Sequence, residues 1–276
     1  MDFDSIWGLM PFIVGLLITG VVSGVAAGLL GIGGGAIIVP ALSAALLWLG
    51  FDADVTQHVA VGTSLAIIIP TGIMSARAHH KRGAVDVDIL KLWAPVVAIA
   101  TFGGGLMARY FSGDVLRIVF GVMAFFIAAN ILLPFQERLM GHLRNSPLTH
   151  RISAAVVGFI SALMGVGGGS LSVPTIHAFG ASMHKAVGTG AAIGVFIALA
   201  GTLGFIISGW DIAGRPPVSL GYINVIALVL VGLTASLCAP IGAALAHRMQ
   251  QRTLKITFAI FLMVTGANMI WKAVAG

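Results

Sequence analysis

Most of this chain consists of long apolar runs separated by short polar segments. Eight runs are close to the length of a membrane-spanning helix, which needs about 20 residues. They cover residues 8–30, 57–76, 88–109, 115–135, 152–170, 185–209, 220–246 and 254–274. The runs are solidly apolar, whereas strands of a membrane barrel alternate apolar and polar residues. With two shorter runs, 36–50 and 170–181, the pattern predicts an all-α membrane protein of about ten transmembrane segments.

Each short run follows a glycine cluster, and the clusters predict broken helices. The cluster at residues 31–35 is followed by Pro40, and the cluster at 165–169 by Pro174. Such breaks leave backbone groups unpaired, which is tolerated at membrane depth only inside protein or beside a cavity. Matching breaks in two halves are the best sequence pointer to the binding site of a transporter.

The segment between the first cluster and Leu49 is expected to cross the membrane. Residues 36–39 are partly β-branched and precede Pro40, which favours an extended backbone. Pro40 then suits the first turn of a helix that runs to about Leu49. An extended stretch followed by that helix reaches roughly 30 Å, enough to span the hydrocarbon.

Two more blocks recur in the same order. Residues 58–64 (HVAVGTS) correspond to 184–190 (HKAVGTG), and residues 116–130 correspond to 254–268. The matched blocks predict an internal repeat. Residues 1–135 form the first repeat, 136–151 a cytoplasmic linker, and 152–276 the second repeat.

The basic residues orient the spans, because cytoplasmic loops carry an excess of Lys and Arg. With the N-terminus outside, the inner segments hold Arg77, Lys81, Arg82, Lys91, Arg138, Arg144, Arg151, Lys185, Arg248, Arg252 and Lys255, and the outer ones hold Arg109, Arg117, Arg215 and Lys272. An odd number of spans per half turns the second half upside down. The prediction is two inverted five-segment repeats with both termini outside.

Composition supports the bilayer as solvent: 58% of residues are hydrophobic and 9% charged, and the mean hydropathy is +1.05. The net charge of +6 is explained by the loops rather than by a nucleic-acid partner. A single cysteine, Cys238, rules out an internal disulfide. No Asp or Glu lies well inside an apolar run, which favours an anion over a cation as substrate.

At these residues the chain resembles the sulfite exporter TauE/SafE family of bacterial anion transporters. The resemblance rests on residues 28–35 (GLLGIGGG) with Pro40, on the 58–64 block and on their second-half partners, and it extends over nearly the whole length. It implies a carrier in the bacterial cytoplasmic (inner) membrane. Its substrates would be small sulfur-containing anions such as sulfite or an organosulfonate, or related organic anions, usually moved outward.

The glycine clusters are the first candidates for substrate binding. Backbone N–H groups at the start of a helix can hold an anion, although glycine also permits close helix packing in membranes. The residues concerned are Gly33, Gly34, Gly35, Gly167, Gly168 and Gly169.

Several polar side chains are further candidates. Hydroxyl groups can donate to sulfite or sulfonate oxygens, and an amide inside an apolar span needs a partner, either the substrate or another helix. These substrate-binding candidates are Thr63, Ser64, Thr189, Asn130 and Asn268.

His58, His184 and Arg77 are candidates for gating or proton transfer. The histidines hold matched positions at the starts of spans, where an imidazole can carry a proton or satisfy a helix end. Arg77 at an inner end could attract anions or act only in setting topology. Neither histidine has companions at ligand spacing, so no metal and no cofactor is predicted.

The resulting hypothesis is a secondary transporter that exports sulfite or an organosulfonate such as sulfoacetate by alternating access, and not an enzyme. Two alternatives stay open: proton-coupled uptake of an organic carboxylate or sulfonate, and a passive anion channel. The expected partners are the anion and the lipid bilayer, and the high glycine content permits a homodimer.

Overall fold

The computed structural model describes residues 6–30, 34–133, 145–246 and 251–275. Within these ranges the chain forms ten α-helices. In chain order they are α1 (Ile6–Leu30), α2 (Gly35–Trp48), α3 (Ala53–Lys81), α4 (Val87–Met107), α5 (Gly113–Leu132), α6 (Pro147–Met164), α7 (Gly168–Ala178), α8 (Met183–Ser208), α9 (Val225–Ala246) and α10 (Gln251–Ala275).

Seven of the helices are long and apolar enough to cross a membrane: α3, α4, α5, α6, α8, α9 and α10. In α1 the described apolar stretch is shorter, Ile13–Ala27. Helices α2 and α7 have only 14 and 11 residues. At about 1.5 Å per residue they reach roughly 21 and 16 Å, less than the hydrocarbon thickness of about 30 Å. The chain is therefore an all-α membrane protein with two half-length helices.

The expectation of an extended backbone at residues 36–39 is wrong. Helix α2 begins at Gly35, and the N–H groups of Ile37 and Ile38 donate to the Gly34 carbonyl at 3.0 and 2.9 Å. Pro40 lies inside the helix rather than in its first turn. The helix is favoured because residues 34–39 are buried, and an extended segment there would leave several backbone groups without hydrogen bonds. A proline inside the helix removes only one backbone hydrogen bond.

Helix starts near the ends of the bundle have side-chain caps. The caps accept hydrogen bonds from first-turn N–H groups of α3, α4, α5, α6 and α8. They are Asp52, Asp86, Ser112, Ser146 and Ser182. Asn224 does the same for α9, since the Ala227 N–H donates to its Oδ1 at 2.8 Å.

Helices α3 and α8 pack against each other at the centre of the bundle. The half-length helix α2 packs on α3 and α1, and α7 packs on α8 and α6. Around them, α1 packs on α9, α4 packs on α6 and α8, and α5 packs on α10. The core of buried aliphatic and aromatic side chains therefore surrounds the starts of α2 and α7.

A short loop with a two-stranded hairpin joins α8 to α9. Strand β1 (Ser219–Leu220) pairs antiparallel with β2 (Ile223–Asn224). The hairpin brings Tyr222 back onto α8, where its N–H donates to the Phe205 carbonyl at 3.1 Å.

Candidate functional site: two buried helix starts

Helix α6 ends at a turn that only glycine suits. Gly165 has φ +69° and ψ +28°, the left-handed conformation. Its N–H donates to the Ala162 carbonyl at 3.4 Å, and the Val166 N–H donates to the Ser161 carbonyl at 3.3 Å. This pairing is a Schellman motif. The chain then runs through Val166 and Gly167 before α7 begins, so the predicted break in the second half is confirmed.

The start of α2 lies directly against this turn. A Cβ atom on Gly35 would be 2.6 Å from the Gly165 carbonyl oxygen and 3.1 Å from Val166 Cα. Gly34, the residue before α2, is buried. Gly33 lies outside the described residues. The glycine positions from the two halves thus meet inside the protein rather than against lipid.

Helix α3 holds this junction near its middle. The Ser64 hydroxyl donates to the Gly165 carbonyl at 2.7 Å, and a Cβ atom on Gly167 would be 3.2 Å from Ile68 Cγ2. On the other side Gly168 packs against α8, where its Cβ atom would lie 2.7 Å from Gly194 N. Ser64 therefore does contact the break, but its proton is already donated.

The two helices that begin at the junction have no side-chain cap. Gly34 precedes α2 and Gly167 precedes α7, and a glycine has no side chain that could accept from the first-turn N–H groups. A helix start leaves N–H groups without intrahelical partners and carries the positive end of the helix dipole. Both starts are buried. The junction consequently presents N–H donors of the kind that bind anions.

The structure gives Thr63 and Thr189 equivalent structural contacts. The Asn224 N–H, before α9, donates to Thr63 Oγ1 at 2.9 Å. The Asp86 N–H, before α4, donates to Thr189 Oγ1 at 2.8 Å. Both threonines are fully buried. Each thus joins α3 or α8 to the start of a neighbouring helix.

The glycine before each of these threonines permits the contact. A Cβ atom on Gly62 would lie 2.9 Å from the Tyr222 carbonyl oxygen, and Gly188 has the same relation to the Ala84 carbonyl. The repeated Gly-Thr pair therefore docks α3 and α8 against the starts of neighbouring helices.

His58 is buried in a network of structural contacts. Its Nδ1 lies 2.8 Å from the Asp54 carbonyl oxygen and its Nε2 lies 2.9 Å from the Ala108 carbonyl oxygen. The ring stacks on Tyr222 with centroids 4.8 Å apart. Burial, with the Asp54 carboxylate nearby, raises the pKa of the Tyr222 phenol, so this ring is neutral at physiological pH. His58 thereby ties α3 to the segment after α4.

The remaining polar candidates lie near helix ends or at exposed positions. His184 is exposed in the first turn of α8, and Arg77 is exposed in the last turns of α3. Asn130 lies in the last turn of α5, and Asn268 is exposed on α10. Neither asparagine belongs to the helices that begin at the junction.

Sequence reasoning missed two features. One is a set of buried serines around the second break, Ser161, Ser170 and Ser172, whose hydroxyls have no partner among the described residues. The sequence signal for two of them was a difference between the repeats: Ser170 and Ser172 stand where the first half has Ala36 and Ile38.

The other is a cluster at the opposite end from His58. The Trp93 indole N–H donates to His150 Nδ1 at 3.0 Å, and His150 Nε2 lies 2.9 Å from Asn145 Oδ1. The His150 ring stacks on Phe179, just beyond α7, at 3.8 Å. This cluster fastens the end of α7 to α4 and α6.

Known proteins match the chain over almost its whole length. The model of the family described as sulfite exporter TauE/SafE matches residues 16–269. A probable membrane transporter protein of Haemophilus influenzae is 33% identical over 264 residues, covering 96% of this chain and all of that protein. The probable membrane transporter protein YunE of Bacillus subtilis is 28% identical, covering 96% of this chain and 99% of the relative. This chain belongs to the sulfite exporter TauE/SafE family of membrane transporters.

Proposed function

We propose that this transporter exports a small sulfur-containing anion, sulfite or an organosulfonate such as sulfoacetate, across the cytoplasmic membrane by alternating access. The observation that carries the proposal is the junction of two buried, uncapped helix starts beside the middle of α3. Donors without a full counter-charge bind an anion less tightly than a buried cation would, which suits a carrier that must release its substrate. The family name agrees with this substrate class.

Helix packing supports two inverted repeats as the basis of alternating access. If α1–α5 are equivalent to α6–α10, the contact of α1 with α9 has its counterpart in the contact of α6 with α4. In the same way α2 packs on α3 as α7 packs on α8. The half-length helices then extend from the junction towards opposite faces of the membrane, as expected of an inverted pair.

The membrane potential is sufficient to drive export. Moving one net negative charge out of an interior-negative cell gains about 2.3 kcal/mol per 100 mV. That gain supports roughly a fortyfold gradient, because each 1.4 kcal/mol is a factor of ten. No coupling ion is required, which fits the placement of the described acidic residues of the helices in first turns: Asp54, Asp88 and Asp114.

Flux from proteoliposomes tests the proposal. Vesicles loaded with sulfite, sulfoacetate or thiosulfate are given an inside-negative potential with potassium and valinomycin. Efflux is expected to rise with the potential for either orientation of the protein, because the driving force acts on the anion. Empty liposomes are the control for leak.

Two results would contradict electrogenic export. One is an efflux that does not respond to the potential. The other is flux that follows an imposed pH gradient at zero potential, which would favour proton-coupled uptake instead. A large unitary conductance in planar bilayers would show that the protein is a passive anion channel rather than a carrier.

A further inference from the structure

We infer that Ser170 is the side chain that binds the anion, together with the first-turn N–H groups of α7. The inference rests on the proposed function and deepens it. The oxygens of a sulfite or sulfonate head group would accept hydrogen bonds from the Ser170 hydroxyl and from the first-turn amides. Ser170 is the third residue of α7, and only 7% of its surface is exposed.

The Ser170 hydroxyl is buried without a partner among the described residues. Burying a hydroxyl without a hydrogen bond is costly, so native proteins rarely leave one in this state. Several hydroxyls on these helices avoid the cost by donating to the carbonyl four residues earlier. They are Thr19, Thr71, Thr175, Thr234 and Thr265. Thr56, Ser161, Thr202 and Ser208 are unpaired like Ser170 among the described residues, but none of them belongs to a helix that begins at the junction.

Helical hydroxyls reach the carbonyls three or four residues earlier, which for Ser170 are those of Gly167 and Val166. Both residues precede α7, and the Ser170 hydroxyl makes no hydrogen bond to either carbonyl. Ser172 also has an unpaired hydroxyl, but the residue four positions before it is Gly168, whose carbonyl is part of α7. A small rotation about χ1 can therefore satisfy Ser172, whereas Ser170 depends on a group from outside the helix.

Helix geometry directs Ser170 away from α8. Gly168 faces α8, since its Cβ atom would lie 2.7 Å from Gly194 N. Residues two apart on a helix are separated by roughly 200°, and those four apart by roughly 40°. Ser172 therefore points towards α8 and Ser170 to the opposite side. Because helical side chains lean towards the N-terminus, the Ser170 side chain is directed to the end of α7 at which the first-turn amides lie.

The first half has no equivalent hydroxyl. The residue that corresponds to Ser170 in the repeated glycine motif is Ala36, which is buried. Helix α2 thus offers amides alone, while α7 offers amides and a hydroxyl. The anion would be held mainly by the second half, with the start of α2 closing the other side of the junction.

Anion titrations of the purified full-length protein in detergent test this inference. Sulfite and sulfoacetate are the probes, and the midpoint of thermal stabilisation gives the apparent affinity. Ser170→Ala is expected to weaken binding about tenfold or more, the range for one hydrogen bond to a charged group. Without anion its melting temperature should equal or exceed that of the wild type, because the change removes an unpaired hydroxyl. Ser172→Ala is the matched control and should bind both anions like the wild type.

The outcomes separate this inference from the proposed function. A wild type that shows neither anion-dependent stabilisation nor flux contradicts the proposed function itself. A responsive wild type with an equally responsive S170A overturns the assignment of Ser170 alone. Equal losses in S170A and S172A also overturn it, because general disturbance of α7 then explains both. If S170A does not fold, Ser170→Gly removes the same hydroxyl: weakened binding supports the inference and unchanged binding overturns it.

Discussion

At the scale of single residues, the buried hydroxyls and imidazoles differ in whether the protein already supplies their partners. Thr63 accepts a hydrogen bond from the backbone before α9, and Ser64 donates to Gly165. His58 has a carbonyl oxygen within 2.9 Å of each ring nitrogen. These groups stabilise the contacts around α3. Ser170, by contrast, has no such contact with the part of the chain that the structure describes, so residue type alone does not separate structural from binding roles.

The contact of Thr63 predicts a loss of stability rather than a loss of affinity. Thr63→Val leaves the buried Asn224 N–H unpaired, which costs about 1–3 kcal/mol. Thermal unfolding in detergent should show a lower melting temperature, and Thr63→Ser, which retains the hydroxyl, should restore most of it. Anion affinity of the folded T63V should match the wild type. A stable T63V that no longer binds sulfite would instead place Thr63 in the binding site.

The two matched histidines should respond differently to the same substitution. His58→Gln removes a buried ring from between Asp54, Ala108 and Tyr222, so the melting temperature should fall clearly. His184→Gln changes an exposed side chain and should alter the free energy of unfolding by no more than about 0.5 kcal/mol. The pH dependence of flux in His184→Gln should be that of the wild type. A shifted pH profile with an unchanged melting temperature would support proton transfer by His184.

At the scale of elements, the sequence predicted the break at residues 165–169 but not the form of the segment that follows the first glycine cluster. Glycine clusters followed by proline disfavour a continuous helix, and the turn at Gly165 agrees. The helical start of α2 at Gly35 could not be deduced from the β-branched residues before Pro40, because burial makes backbone pairing outweigh local preference. The sequence also could not predict that the Ser170 hydroxyl is unpaired. Which carbonyls this hydroxyl can reach depends on the exact residue at which α7 begins.

The turn at Gly165 should tolerate no side chain. Gly165→Ala places a non-glycine residue at φ +69°, which costs about 1–2 kcal/mol. Its Cβ atom would also lie 2.9 Å from Val39 Cγ2 and from Val61 Cα, and such crowding adds about 1–3 kcal/mol. Gly180→Ala is the matched control, since Gly180 has φ +95° with no atom within 4 Å of its Cβ position. Melting curves should show the larger loss at Gly165. Equal losses would mean that the junction is not closely packed.

At the scale of the whole molecule, contacts between distant segments define two ends of the bundle. His58, Ala108 and Tyr222 meet at one end, together with the loop between α8 and α9. Asp86 and Thr189 meet at the other, where Lys185 lies 3.5 Å from the Asp86 carboxylate. The distribution of basic residues predicts that the first end faces outwards and the second faces the cytoplasm. The sequence could predict which segments lie at which end, because the basic residues of each segment can be counted directly. It could not predict which distant segments contact each other, because those contacts depend on the fold.

Labelling of single cysteines from outside intact cells tests the orientation. In a Cys238→Ala background, Ala213→Cys lies exposed in the loop between α8 and α9, and His80→Cys lies exposed in the last turn of α3. A membrane-impermeant maleimide should label A213C in intact cells and H80C only after permeabilisation, because the two positions belong to opposite ends. Labelling of H80C alone in intact cells would reverse the predicted orientation. Labelling of both in intact cells would contradict the assignment of these two ends to opposite faces of the membrane.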